Sequence, residues 1–164
     1  ETCASSGAYD DLLRRTVGPG GLRTTWSFSW DIQGATLSRK TTALESDAAG
    51  VVAAQKDRAL LAHLDALHAQ LVDSADNREA FFAVNEQFHT TLLQAAGNRW
   101  RQQTVADLRK VMKLNRHHSL FKTGRVAESL KEHAAIMAAL HSGDATASTA
   151  AMRHHMMQGS EAAV

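Results

Sequence analysis

Cysteine occurs once, at Cys3, and proline once, at Pro19. A lone cysteine excludes an internal disulfide and a thiolate metal site, and it suits a reducing cytoplasm. With a single proline and abundant Ala and Leu, the composition favours an all-α domain over a sandwich or a barrel. No run of about 18 apolar residues is present and no signal-peptide pattern opens the chain, so a soluble protein without a membrane partner is expected. Internal repeats and low-complexity tracts are also lacking. The 164 residues fit one domain large enough to bury a core.

Net charge is close to balance, at +1, but it is unevenly spread. From Arg99 to Lys131 there are nine Lys/Arg against two acids, Asp107 and Glu128. Such a stretch is either a solvated helix face or a field that draws an anionic ligand. No groove-reading motif accompanies it, so a duplex-DNA surface is not expected.

Residues 1–37 read differently from the rest. Gly18, Pro19, Gly20 and Gly21 form a turn cluster. In the next stretch Leu22, Trp26, Phe28, Trp30 and Ile32 share one parity, with Ser27, Ser29 and Asp31 on the other. Period-two alternation with aromatics predicts a half-buried strand over 22–32. No second strand is in sight to pair with it.

From about Ser38 the pattern is helical to the end, giving an antiparallel bundle of about six helices over 38–164. The first helix should span about 38–54, with Leu44, Ala48, Val51 and Val52 inward. The second should span about 57–72, on Leu60, Leu61, Leu64, Leu67 and Leu71. Asp76 or Asn77 can cap the third, which ends at Gly97. The fourth runs from about Arg99 to Leu120, with Val105, Leu108, Val111, Met112 and Leu114 inward, and breaks at Thr123 and Gly124. The fifth covers about 126–141, and Asp144 caps the sixth, about 145–157.

The third helix carries the most informative pattern. Phe81, Phe88, Leu92 and Ala96 share an apolar stripe, and beside it Asn85 and His89 lie one turn apart on one face. A buried amide or imidazole without a partner costs about 1–3 kcal/mol. Candidate partners are distant. His133 lies about ten residues before the turn at Gly143 and Asp144, and His155 about eleven after it. At 1.5 Å per residue both stand about 15–17 Å from the turn, level with each other in an antiparallel hairpin. Asn85, His89, His133 and His155 are therefore either separate hydrogen-bonded core residues or a four-ligand metal set. Imidazoles suit Zn, Ni, Fe, Mn or Co. His154 adjoins His155, so the inward residue of the last helix is uncertain by one position. Of the other histidines, His63, His68 and His141 have polar neighbours and read as surface or capping residues. His117, His118 and His154 could line a cavity.

Four segments taken together resemble the FCD domain, the effector-binding domain of FadR-type regulators in the GntR family. They are Asn85 to His89, Leu92 to Asn98, Glu132 to Asp144 and Met152 to His155. The stretch from Leu44 to Ala49, with Val52, Ala53 and Ala54, is similar to that domain's first helix. The resemblance covers about 38–158. It implies a helical bundle that binds a small organic acid, in many members beside a divalent metal, within a dimeric regulator. The family's metal ligands match Asn85, His89, His133 and His155. Asn85 stands where Asp is commoner, which predicts a more loosely held ion. Arg116 on the fourth helix is the candidate contact for an anionic ligand, or else a surface ion pair.

Such regulators carry a winged helix-turn-helix of about 70 residues before this domain, and residues 1–37 are too few for one. The chain begins with Glu1 rather than Met. It is therefore expected to be either a piece of a longer regulator or a free-standing FCD-like domain. The first alternative predicts a metal-dependent organic-acid sensor that reaches DNA only through a separate head. The second allows a metalloenzyme in which three histidines hold a Lewis-acidic ion and His118 or His154 is the general base. Against the enzyme, Glu86 and Glu132 point about 100° from their ligand neighbours, leaving no carboxylate placed in the cavity.

Overall fold

The computed structural model describes the backbone of residues 22–119 and 122–162, and the side chains of 36–110 and 122–162. Six helices follow one another: α1 Leu22–Gln55, α2 Arg58–Asp73, α3 Arg78–Ala95, α4 Arg99–Ser119, α5 Arg125–Ser142 and α6 Ala145–Glu161. The all-α bundle expected from composition is the fold, and no strand occurs among the described residues. The chain divides into two units, Glu1–Thr36 and Leu37–Val164. The first contributes the helical backbone that begins at Leu22; the second holds the core and every side chain discussed below.

The strand expected over 22–32 is not formed. That stretch is helical backbone within α1. Alternating parity specifies a strand only if a neighbour pairs its amides and carbonyls. A helix satisfies them within the segment itself. The glycine and proline cluster at 18–21 lies outside the described residues.

Polar residues mark the helix starts. Asp57 accepts hydrogen bonds from the Ala59 and Leu60 amides at 2.9 and 3.1 Å. Asn77 accepts from Ala80 at 3.1 Å, so Asn77 rather than Asp76 caps α3. Asn98 accepts from Trp100 and Arg101, and Asp144 from Ala147 at 2.9 Å. Each cap satisfies amides that the first helical turn leaves open. Gly143 closes α5 at φ 69°, where a β-carbon would also meet the Lys56 side chain at 2.6 Å.

These short connections force antiparallel pairs. α2 packs on α3 and α5 on α6, and the hairpins meet through α2 with α5 and, by way of α4, α3 with α6. One core draws on all six helices, with Ala48, Ala49 and Val52 from α1, Leu64 and Leu67 from α2, and Phe88 and Leu92 from α3. Val105 of α4, Ile136 and Leu140 of α5, and Met152 of α6 complete it. A second cluster, Leu71 with Phe81, is covered by Phe82, Val126 and Leu130. α1 contributes only small residues at the centre of its contact. At Gly50 a β-carbon would lie 2.5 Å from the Thr149 hydroxyl and 3.1 Å from the Ala145 carbonyl oxygen of α6. Among the residues expected inward, Leu44, Val51, Leu60, Leu61, Ala96 and Leu108 are only partly covered. Val111, Met112 and Leu114 lie outside the described side chains.

Leu64 is fully enclosed. Leu64→Ala should lower unfolding free energy by about 2–5 kcal/mol, measured by urea denaturation. A loss below about 1 kcal/mol would mean that the core collapses around the deletion.

Candidate metal centre

The apolar stripe of α3 runs along Phe81, Phe88 and Leu92, and its polar flank carries Asn85 and His89 into the bundle. His133 enters from the inward face of α5 beside Ile136 and Met137, and His155 from α6 beside Met152 and Met156. His89 and His133 are fully buried, His155 is 6% exposed and Asn85 9%. One nitrogen from each histidine lies within 4.8 Å of the others. The rings of His133 and His155 are 4.5 Å apart, as their equal height on the hairpin requires. Phe88 packs its ring edge-on against His133 at 4.7 Å. The Asn85 oxygen meets His133 Nε2 at 2.9 Å. His154, by contrast, faces outward and is exposed. The last helix thus turns His155 in, and His154 is not available as a base in this cavity. The side chains of Arg116 and His118 lie outside the described residues.

Two carboxylates back the cluster. Glu45 of α1 accepts from His89 Nδ1 at 2.7 Å, and Glu132 of α5 accepts from His155 Nδ1 at 2.7 Å. Each carboxylate is anchored by an arginine. Arg109 of α4 donates Nε to Glu45 at 2.9 Å, grips it again through Nη2, and reaches Glu86 through Nη1 at 2.6 Å. Arg125 holds Glu132 by two bonds of 2.7 Å each. The expectation of no placed carboxylate is therefore corrected. Glu132 does point away from His133, but that direction is where the back of His155 lies. Glu86 is turned to Arg109. The basic stretch from Arg99 is also partly spent within the fold, since Arg101 pairs with Asp47, Arg109 with Glu45 and Glu86, and Arg125 with Glu132.

Glu45 could have been found in the sequence. It is the one acid on an inward face of α1 that runs Thr41, Glu45, Ala48 and Val52. A carboxylate there has to be met by a cation. Arg109 follows Val105 by one turn, on the buried side of α4. Arg125 gave no signal, because it is the first residue of its helix and its partner lies seven residues on.

The carboxylates fix the protons. An ionised carboxylate only accepts, so each neutral ring carries its hydrogen on Nδ1 and its lone pair on Nε2. His89 Nε2 and His155 Nε2 face each other at 3.2 Å. With both rings neutral, two lone pairs point at one place, where a cation would relieve their repulsion. Burial lowers the His89 pKa from 6.5 to about 4, and it outweighs the favourable Glu45 contact. Burial, with the neighbouring His155 and His89, holds His133 well below its ordinary value. Burial raises Glu132, but hydrogen bonds from His155 and Arg125 outweigh it and keep the carboxyl at about 2. At neutral pH His89 and His133 are therefore unprotonated, and an ionised Glu132 carboxylate stands behind His155. That donor set fits a borderline divalent ion.

The sequence profile of the FCD domain matches residues 39–158. The chain belongs to the FCD family. FCD domains are the ligand-sensing domains of GntR-type transcription regulators. No curated protein matches this FCD chain in sequence. No helix among the described residues is long and apolar enough to cross a membrane.

The lowered His89 pKa sets a pH dependence. The unfolded chain takes up a proton at this histidine near 6.5, the folded chain only near 4. Its contribution is present above 6.5 and is lost as pH falls through that window. The Glu132 contribution is lost lower, between 4.5 and about 2. With chelator present, denaturation midpoints should drop between pH 6.5 and 4 in the native chain and less steeply in His89→Gln.

Proposed function

We propose that this FCD domain is a metal-dependent sensor of a small organic acid, with Asn85, His89, His133 and His155 as the metal ligands. The observation that supports it most is the approach of His89 Nε2 and His155 Nε2 to 3.2 Å, with both Nδ1 atoms committed to carboxylates. Hydrogen-bonded core histidines would be expected to pair donor with acceptor rather than lone pair with lone pair.

Charge favours the same reading. Glu45, Glu86 and Glu132 stand against Arg109 and Arg125, so the surroundings of the neutral rings carry one excess negative charge. That balance attracts a cation. A divalent ion, Zn, Ni, Fe or Mn, would supply a Lewis-acidic positive charge to which an organic carboxylate can bind. Asn85 brings an amide oxygen in place of a carboxylate, which leaves that positive charge less neutralised for the incoming acid. Arg116 remains the candidate for a second contact to the acid. In a full-length dimeric regulator, ligand binding would favour one helix packing over another and so alter the spacing of attached DNA-binding heads. The metalloenzyme reading loses His154 as a base, and no observation in the site favours it.

Metal analysis of the purified protein tests this reading directly. The chain should hold a stoichiometric divalent ion, His133→Ala should lose most of it, and Asn85→Asp should bind it more tightly. Addition of the cognate organic acid should raise the melting temperature only in the metal-loaded protein. Undiminished metal in His133→Ala would refute the ligand set.

A further inference from the structure

His89 and His155 each have a partner behind the ring, Glu45 and Glu132. His133 has none of this kind. Its Nδ1 is buried and finds no hydrogen-bond partner among the described residues. A second imidazole nitrogen shares that condition, His68 Nε2 on α2. Each such atom costs about 1–3 kcal/mol if it stays unmet.

The two residues are neighbours by the register of their helices. His141 of α5 pairs with Asp65 of α2 at 2.9 Å. Toward the other end, Leu130 of α5 packs on the cluster that contains Leu71 of α2. These contacts run the helices antiparallel, and His133 and His68 both lie between them. No direct hydrogen bond joins the two imidazoles, and water is a group that could meet both. Water donates and accepts, and a buried water is held by two or more polar partners.

We propose that His68 is the outer partner of His133, joined to His133 Nδ1 through one water that His68 Nε2 helps to hold. This rests on the metal reading for its consequence, though not for the contact itself. His133 Nε2 faces the Asn85 oxygen. To use that nitrogen as a ligand, the ring must carry its hydrogen on Nδ1, and Nδ1–H then needs an acceptor. The water accepts it and donates in turn to His68 Nε2. With the proton on His133 Nε2 instead, the same water donates to Nδ1. His68 is thus a positioning residue that keeps the ring satisfied in both tautomers. It does for His133 what the carboxylates do for its neighbours. His68 is expected from sequence to be a surface or capping residue; its Nε2 lies inside.

Competition titration with Zn²⁺ and a high-resolution crystal structure of the metal-free chain test the proposal together. His68→Leu should weaken Zn²⁺ binding about 10–100-fold, the range found for partners behind ligating histidines. The metal-free fold of this variant should persist, read by far-UV circular dichroism, although the bridging water loses one of its two partners. His68→Gln, whose amide oxygen accepts from water, should recover most of the affinity, which a purely structural role would not predict. The crystal structure should show an ordered water within hydrogen-bond distance of His68 Nε2 and His133 Nδ1. If the native chain takes up no Zn²⁺ but the water is present, the contact stands and the metal reading falls. If the native chain binds Zn²⁺ and His68→Leu binds it equally well, the metal reading stands and the role of His68 is overturned. A gap without water overturns it as well, whatever the variants do.

Discussion

Two carboxylates decide what this cavity is. Glu45 and Glu132 take the Nδ1 hydrogens of His89 and His155, so that in neutral rings both Nε2 lone pairs face inward, with the two nitrogens 3.2 Å apart. Without them either ring could reverse its tautomer, and the pair would settle into an ordinary donor–acceptor hydrogen bond. The arginines matter for the same reason. Arg109 and Arg125 keep the carboxylates ionised and aimed, so that neither can serve as a hydrogen donor to its histidine.

The rest of the fold exists in large part to hold this arrangement level. α1 brings Glu45, α3 brings Asn85, Glu86 and His89, α4 brings Arg109, α5 brings Arg125, Glu132 and His133, and α6 brings His155. Residues separated by up to 110 positions in the chain meet within one layer of side chains. Phe88, Leu92, Ile136 and Met152, on the same helices, belong to the buried core. Burial is what lowers the His89 and His133 pKa values, and it strengthens each ion pair. Burial and charge pairing are thus coupled. The core makes the site electrostatically intense, and the ion pairs make the buried charges tolerable.

Much of this was written in the sequence, and the limits are physical. Helix starts were legible because Asp57, Asn77 and Asp144 are short polar side chains placed before apolar periodicity. His133 and His155 could be matched in height because one short turn joins their helices and rise per residue is constant. Contacts between elements that are not adjacent in sequence were less accessible. The Glu45 carboxylate could be suspected from its inward position, but nothing in the sequence said that it meets His89 and Arg109. Glu132 was misjudged because direction on one helix was considered without the neighbouring helix that fills that direction. The stretch 22–32 misled for the opposite reason: a local alternation specifies a strand only beside a partner strand, and none occurs among the described residues.

Gly50 limits how this structure can change. α1 and α6 approach closely there, and an added methyl group would run into the Thr149 hydroxyl and the Ala145 carbonyl. The helices are at the end of their travel toward each other. Any rearrangement that moves Glu45 relative to His155 must let them slide past or spread apart, because squeezing is excluded.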